Sequence, residues 1–275
     1  MNSLAPLPTP SGSASASPCI GVFDSGVGGL TVLRELHRVL PGVPLHYVAD
    51  SANAPYGQRT PEFIIQRCLV LTEHLHQAGA QVLVLACNTA TAHAISALRQ
   101  RWPDLPIVGT EPGIKPAVAA SRNGRIGVMA TTSTISSARY RGLIERHAGT
   151  AQVHSQACPG LVDLIETGEL DSPALSRLLR ELCLPLQQAG VDTVLMGCTH
   201  YPLIQAQIQA VLGPQVQLLN IETAVAQQAA RLWGELKLPA TAAEMVLETT
   251  GDAAALSSFV QRALGWQLQA RSLSI

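Results

Sequence analysis

An internal repeat of two strand-like segments constrains the fold more than any other feature. The first segment, IGVFDS at residues 20–25, resembles IGVMAT at 126–131. The second segment, VLVLACNT at 82–89, resembles TVLMGCTH at 193–200. Both segments recur in the same order, and in each copy a cysteine follows the start of the first segment by about 70 residues, so the repeat predicts two related domains.

Short apolar runs alternate with longer segments of helical character throughout the repeat. Continuous apolar runs are typical of parallel strands that are buried on both faces. We therefore predict an α/β fold with two similar doubly wound parallel sheets, related by a pseudo-two-fold axis, and a site in the cleft between them. The predicted strands span 19–23, 45–49, 82–86, 107–109, 125–130, 153–157, 193–196 and 217–219, and the predicted helices span 30–39, 61–77, 91–101, 136–146, 173–188 and 203–211.

The domain boundaries follow from breaks in this pattern. Pro112 and Gly113 interrupt the regular alternation and predict the joint between the domains. The first domain is predicted at 18–112 and 221–275, with Cys87, and the second at 113–220, with Cys198. Residues 1–17 carry no charged side chain and little to bury, so we expect a disordered tail.

The composition argues against several classes of partner. The formal net charge of −1 gives no general attraction to nucleic acid or to anionic lipid. No apolar run approaches the roughly 18 residues of a membrane helix. The N-terminal segment also lacks the basic start and apolar stretch of a secretory signal. We therefore expect a cytoplasmic protein that binds neither nucleic acid nor membranes.

Five of the six cysteines fall into two groups. None forms a C-x-x-C pair, and disulfides are not expected in a reducing compartment. Cys19, Cys68 and Cys183 have apolar surroundings and are predicted to be small buried residues of the core. Cys87 and Cys198 instead end the repeated apolar runs and precede polar residues.

The positions of Cys87 and Cys198 predict a pair of proton-transfer groups. Each follows a strand at its carboxyl end, where open α/β sheets bind ligands. A helix should begin just after each thiol, capped by Asn88 or Thr89 in the first copy and with Pro202 in its first turn in the second, and should lower the thiol pKa. Moving a proton from one face of a carbon atom to the other needs a base on one side and an acid on the other. One thiol from each domain suits that chemistry.

A glycine-rich turn, DSGVGG at residues 24–29, follows the first strand. It lacks the third glycine of a dinucleotide-binding fingerprint, because Thr31 stands there, so we do not predict a nicotinamide cofactor. The turn should instead let backbone N–H groups approach a carboxylate, with Asp24 and Ser25 projecting from the strand end.

Further candidate residues lie in three other segments. Tyr56 and Gly57 belong to a polar loop after the second strand and are placed to cover a small molecule. His200 lies two residues after Cys198, and Glu166 ends LVDLIE (161–166), a further segment of helical character. The histidines at 37, 74, 76, 93, 147 and 154 follow no metal-ligand spacing, so no metal is predicted.

These motifs together resemble those of the glutamate racemases, in the aspartate/glutamate racemase superfamily. The resemblance covers about residues 18 to 255. The matching segments are GVFDSGVGGLTV (21–32), DSANAPYG (50–57), ACNTATA (86–92), EPGIKPA (111–117), GVMATTSTISSARY (127–140), MGCTHYPL (196–203) and TTGD (249–252).

The resemblance implies a cofactor-independent enzyme that supplies D-glutamate for peptidoglycan. Cys87 would then serve D-glutamate with help from Asp24, and Cys198 would serve L-glutamate with help from Glu166 and His200. The resemblance also assigns substrate binding to Asp24, Ser25, Tyr56, Gly57, Asn88, Thr89, Thr199 and His200.

Several alternatives stay open from the sequence. An aspartate or hydantoin racemase has a similar cysteine pair, and the DSGVGG and PYG elements favour glutamate. A Cys–His hydrolase would use Cys198 and His200 without Cys87, and a non-catalytic amino-acid binding protein would need neither thiol. The sequence also leaves open a homodimer and regulation by a cell-wall precursor.

Overall fold

Two sheets of parallel strands organise the chain. The computed structural model describes residues 17–239 and 242–275, so the predicted tail, apart from Ser17, lies outside the described residues. The strands are β1 (Cys19–Asp24), β2 (Leu45–Ala49), β3 (Ala80–Leu85), β4 (Ile107–Gly109), β5 (Arg125–Ala130), β6 (Gln152–Ala157), β7 (Thr193–Met196), β8 (Gln217–Leu219), β9 (Met245–Thr249) and β10 (Ala270–Ser272).

Helices connect the strands in the manner of doubly wound folds. Among the described residues, no helix is long and apolar enough to cross a membrane. The α-helices are α1 (Leu30–Val39), α2 (Pro61–Gln77), α3 (Asn88–Arg101), α4 (Ile114–Ala120), α5 (Thr132–Ser136), α6 (Ala138–His147), α7 (Leu161–Glu166), α8 (Pro173–Gln188), α9 (Gln205–Leu212), α10 (Glu222–Glu235) and α11 (Ala253–Leu264).

The strand order separates the chain into two sheets. The first sheet has the order β10-β9-β2-β1-β3-β4, and the second has the order β6-β5-β7-β8. Every pairing in both sheets is parallel. The predicted α/β class with two parallel sheets is therefore confirmed. The boundaries at 112/113 and 220/221 stay a prediction.

Both faces of each sheet are covered, which explains the continuous apolar runs. In β1, Ile20 and Val22 pack into one core cluster while Cys19 and Phe23 pack into another on the opposite face. Alternate residues of a strand point to opposite faces, so each strand needs apolar residues at successive positions. Polar residues can therefore follow only at the carboxyl ends of the strands, as they do after β1, β3 and β7.

Several elements differ from the predictions. Helix α3 begins at Asn88 rather than at residue 91, because the Cys87 side chain caps it by accepting a hydrogen bond from the Ala90 N–H. The helix predicted at 203–211 begins with a 3₁₀ turn at Tyr201–Ile204. Strands β9 and β10 were not predicted, since both are only partly buried; β10 forms the edge of the sheet, and β9 lies next to it.

Asp50, which follows β2, ties three segments of the first sheet together. Its carboxylate is fully buried and accepts hydrogen bonds from the Arg67 guanidinium at 2.8 and 3.0 Å. The hydroxyls of Tyr56 and Thr250 donate to it at 2.6 and 2.9 Å, and Asn53 donates at 3.0 Å. The loop that holds Tyr56, helix α2 and the segment after β9 therefore share one anchoring charge.

Replacing this anchor should destabilise the fold. We expect Asp50→Ala to lower the free energy of unfolding by about 3 to 5 kcal/mol, because it leaves Arg67 charged and unpaired in a largely buried position. Urea unfolding measures the loss. Asp104→Ala, at an exposed loop position, is the control and should change the value by less than about 0.5 kcal/mol. Equal unfolding midpoints for the two variants would contradict the anchoring role.

Candidate active site

The two repeated cysteines lie at the carboxyl ends of their strands and are nearly inaccessible. Cys87 follows β3 and is 5 % exposed, and Cys198 follows β7 and is 7 % exposed. The predicted structural cysteines Cys19, Cys68 and Cys183 are buried in the core clusters. The thiols of Cys87 and Cys198 differ from these because each contacts a polar side chain.

Cys87 is linked to a buried carboxylate through a serine. Its thiol donates to the Ser25 hydroxyl at 3.8 Å, and that hydroxyl donates to Asp24 Oδ1 at 3.0 Å. The Sγ atom also accepts the Ala90 N–H at 3.5 Å. This arrangement provides a path for a proton from the sulfur atom toward the carboxylate.

The predicted lowering of the Cys87 thiol pKa is wrong for this closed structure. Burial raises the pKa, and the nearby charge of Asp24 raises it further. The hydrogen bond from the Ala90 N–H acts in the opposite direction but is outweighed. An ionised Cys198 would also raise the pKa of Cys87, which shows that the two thiols are electrostatic neighbours.

Asp24 is fully buried, and its carboxylate accepts hydrogen bonds from the loops that follow β1 and β7. It accepts the Gly26 N–H at 2.9 Å and the Thr199 hydroxyl, from the loop after β7, at 2.8 Å. Burial raises its pKa, and the charge of His200 and these hydrogen bonds partly offset that effect. The strand ends of the two sheets thus meet at this carboxylate.

Cys198 has a second and different chain of partners. Its Sγ atom lies 3.7 Å from His200 Nδ1, and His200 Nε2 lies 2.5 Å from Glu166 Oε1. Glu166 also accepts the Val27 N–H at 2.9 Å, so the carboxylate that the glycine-rich turn approaches is a side chain of this protein.

The pKa values of His200 and Glu166 reflect their pairing. Burial alone would lower the pKa of His200, but its hydrogen bonds to Cys198 and Glu166 outweigh burial and raise the pKa well above its ordinary value. Burial alone would raise the pKa of Glu166, but the bond to His200 holds it below the ordinary value. Both shifts favour the charged forms, an imidazolium next to a carboxylate.

Glycines in the turn at residues 24–29 are required by close packing. A Cβ atom on Gly26 would lie 1.9 Å from Glu166 Oε1, and one on Gly28 would lie 2.2 Å from His200 Nδ1. Real Cβ atoms do not come that close, so any side chain here would displace the histidine or the carboxylate. The turn serves contact between the two parts of the chain, not a dinucleotide.

The other predicted binding residues surround the same cleft with different contacts. Thr89 Oγ1 lies 2.9 Å from Thr131 Oγ1 and 3.3 Å from Thr134 Oγ1, both from the second sheet's side. Asn88 Nδ2 donates to the Thr110 carbonyl, while Asn88 Oδ1 is buried with no hydrogen-bond partner among the described residues. Sequence reasoning missed Thr131 and Thr134, although they follow the repeated strand β5 as Ser25 follows β1.

Tyr56 and Gly57 lie beside the cleft, where Tyr56 is held by a hydrogen bond and Gly57 packs against a side chain. The Tyr56 side chain is buried, and its hydroxyl donates to Asp50. A Cβ atom on Gly57 would lie 3.1 Å from the Thr131 side chain. A cavity of about 60 Å³ adjoins this contact and is also lined by Cys158 and Asp163. A wider cleft of about 760 Å³ lies between α8 and α9 and contains neither thiol.

Removing the Glu166 charge should lower the pKa of His200. The folded-state pKa of His200 is raised, so the pairing stabilises the protein below the ordinary histidine pKa and loses that effect as the pH rises through the folded value. We expect Glu166→Gln to shift the His200 titration to lower pH in an NMR experiment on the imidazole signals. Glu169→Gln, an exposed control three residues away, should leave it unchanged. An unshifted titration in Glu166→Gln would show that the carboxylate does not hold the proton on His200.

Comparisons with known proteins identify the family to which this chain belongs. The sequence model of the Asp/Glu/Hydantoin racemase family matches residues 20–229. A glutamate racemase of Ectopseudomonas mendocina is 47 % identical over 252 residues, covering 91 % of this chain and 96 % of the relative. The crystal structure of a glutamate racemase from Bacillus anthracis has a TM-score of 0.85 at 32 % identity, covering 94 % of this chain and 98 % of that one.

A second solved structure adds bound molecules to the comparison. The Escherichia coli glutamate racemase, in complex with L-glutamate and the activator UDP-MurNAc-ala, has a TM-score of 0.84 at 31 % identity and covers 94 % of this chain and 98 % of its own. The sequence match and the shared two-sheet fold lead to one conclusion: this chain belongs to the Asp/Glu/Hydantoin racemase family.

Proposed function

We propose that this chain is a glutamate racemase that interconverts L- and D-glutamate by moving a proton between Cys87 and Cys198. The observation that supports this most strongly is the pair of thiol chains described above. One chain runs from Cys87 through Ser25 to Asp24, and the other runs from Cys198 through His200 to Glu166. A nucleophilic cysteine enzyme would need only one such chain.

The proposed reaction is a 1,1-proton transfer at the α-carbon. Starting from L-glutamate, the Cys198 thiolate removes the α-proton, and the Cys87 thiol delivers a proton to the opposite face. The C–H bond that breaks leaves its electron pair on carbon, and that pair forms the new C–H bond. The reverse reaction exchanges the two roles, as microscopic reversibility requires.

Substrate binding explains how Cys87, whose thiol pKa is raised by burial, could react. The α-ammonium group of glutamate would bring a positive charge next to Cys87 and Asp24, and such a charge lowers the pKa of a neighbouring thiol. The unpaired Asn88 Oδ1 is a suitable acceptor for an ammonium N–H. The hydroxyls of Thr89 and Thr131 are suitable donors to a substrate carboxylate.

The carbanion would be stabilised by fixed donors rather than by a cofactor. The proposed mechanism uses neither metal, flavin nor pyridoxal phosphate. Hydrogen-bond donors and the imidazolium of His200, held in a cleft with little water, would stabilise negative charge developing on the substrate. Such preorganised groups need no rearrangement during the reaction.

The cellular role follows from the proposed product. We propose that the enzyme acts in the cytoplasm and supplies D-glutamate for peptidoglycan. The activator bound to the Escherichia coli relative supports regulation of this chain by a cell-wall precursor as well. Homodimer formation stays a prediction from the sequence.

One observation favours a second candidate function. The 3.7 Å contact between Cys198 Sγ and His200 Nδ1 is also the arrangement of a Cys–His hydrolase. In that reading Cys87 has no part in the chemistry, so the behaviour of a Cys87 variant separates the two functions.

Each thiol should be essential for racemisation. We expect Cys87→Ser and Cys198→Ser each to lower kcat by at least about 100-fold, because a serine hydroxyl is too weak an acid to replace either partner. Circular dichroism follows the interconversion of the glutamate enantiomers. A parallel assay with aspartate tests the alternative substrate. Cys183→Ala, which removes a buried thiol of the second core, should retain activity within about two-fold. Near-full activity in Cys87→Ser would refute the two-base mechanism.

Deuterium from the solvent should appear at the α-carbon of the product enantiomer but hardly at all in the recovered substrate. Starting from L-glutamate in D₂O, early D-glutamate should carry deuterium at the α-carbon, while recovered L-glutamate should carry little. The donor thiol exchanges with solvent before the substrate binds, whereas the abstracted proton stays on the other thiol. Proton NMR and mass spectrometry measure both. Mostly unlabelled early D-glutamate would show that a single base serves both faces.

A further inference from the structure

Two histidines and one glutamate converge in the first sheet, away from the thiols. His46 lies on β2, His74 on α2 and Glu248 on β9. Glu248 Oε2 lies 2.8 Å from His46 Nε2 and 2.6 Å from His74 Nε2. One ligand atom of each residue lies within 4.8 Å of the other two.

We propose that these three side chains form a zinc site, with a water molecule as the fourth ligand. The site is separate from the proposed racemase chemistry. Its role would be to hold β9, and with it the C-terminal segment, against β2 and α2.

The donor atoms suit zinc by type and by spacing. Imidazole nitrogens and a carboxylate oxygen are common zinc ligands, at about 2.0–2.2 Å from the ion. Ligands around a tetrahedral ion at that distance lie about 3.3 Å apart. The two N–O separations of 2.6 and 2.8 Å would therefore widen by about 0.7 and 0.5 Å, respectively, to admit the ion.

The surroundings keep the donors shielded while leaving room for solvent. The side chains of His46, His74 and Glu248 are 11, 24 and 15 % exposed. Burial lowers the pKa of His46, which favours the neutral ring that binds metals. Arg271 on β10 is aligned with Glu248 and exposed; its guanidinium has no lone pair to offer and so is not a ligand.

The positions in the sheet separate this cluster from the thiols. Asp24, at the active end of β1, is aligned with Ala49 of β2, and His46 lies three residues earlier, about 10 Å along the strand. The sequence did not predict this site, because its three ligands lie far apart along the chain, on β2, α2 and β9. Only the pairing of β2 with β9 brings Glu248 to His46.

Zinc titration of the purified full-length chain tests the proposal. After removal of metals with a chelator, calorimetry should show one equivalent of Zn²⁺ bound. At a free concentration of 100 times Kd, the Tm should rise by roughly 5 °C. His74→Gln and Glu248→Gln should each lose this binding and the rise in Tm. His76→Gln, which changes an exposed histidine on the same helix, should keep both.

A thiol variant distinguishes the proposed site from the cysteines, which also bind zinc. The double variant Cys87→Ser/Cys198→Ser should retain the one equivalent, and the visible spectrum of bound Co²⁺ should show no thiolate charge-transfer band. If Glu248→Gln does not fold without metal, zinc binding by His74→Gln and the Co²⁺ spectrum of the unmodified chain still test the proposed site. Absence of zinc binding, binding unaffected by His74→Gln, or binding lost in the double cysteine variant would each overturn the proposal.

Discussion

Two carboxylates, the fully buried Asp24 and the partly buried Glu166, join the two sheets, and the geometry of the site depends on them. Asp24 accepts a hydrogen bond from Thr199, and Glu166 accepts one from the Val27 N–H, so each bonds to the part of the chain that carries the other sheet. A carboxylate that has left water is stable only where such bonds replace its hydration. The strand ends can therefore meet only in an arrangement that satisfies both groups.

The repeat reproduces the thiols but not their partners. Asp24 of the first copy corresponds to Ala130 of the second, which has no carboxylate to offer. Glu166, from helix α7, takes that place, and His200 stands where the first copy has Thr89. The first thiol thus faces a carboxylate through a hydroxyl, and the second faces an imidazolium. A pseudosymmetric fold in this way holds two chemically different environments on opposite sides of one cleft.

Close packing at the cleft links the state of the thiols to access by a ligand. In this closed arrangement burial raises the pKa of Cys87, so the thiol is held in its protonated form. The glycines at 26 and 28 let Glu166 and His200 pack directly on the turn, which leaves little space for water. A charged substrate that entered would change the electrostatics of the thiols at the moment it bound.

The sequence by itself determined the architecture and predicted the place of the chemistry. Apolar runs at β1, β3, β5 and β7, ending in polar residues, indicate buried parallel strands whose carboxyl ends carry the functional groups, because burial on both faces leaves no other place for them. Tertiary structure alone decided how those groups interact. The raised pKa of Cys87 arises from burial and from Asp24, and the His46–His74–Glu248 cluster arises from strand pairing. Both depend on distances between residues remote along the chain, which local sequence patterns do not contain.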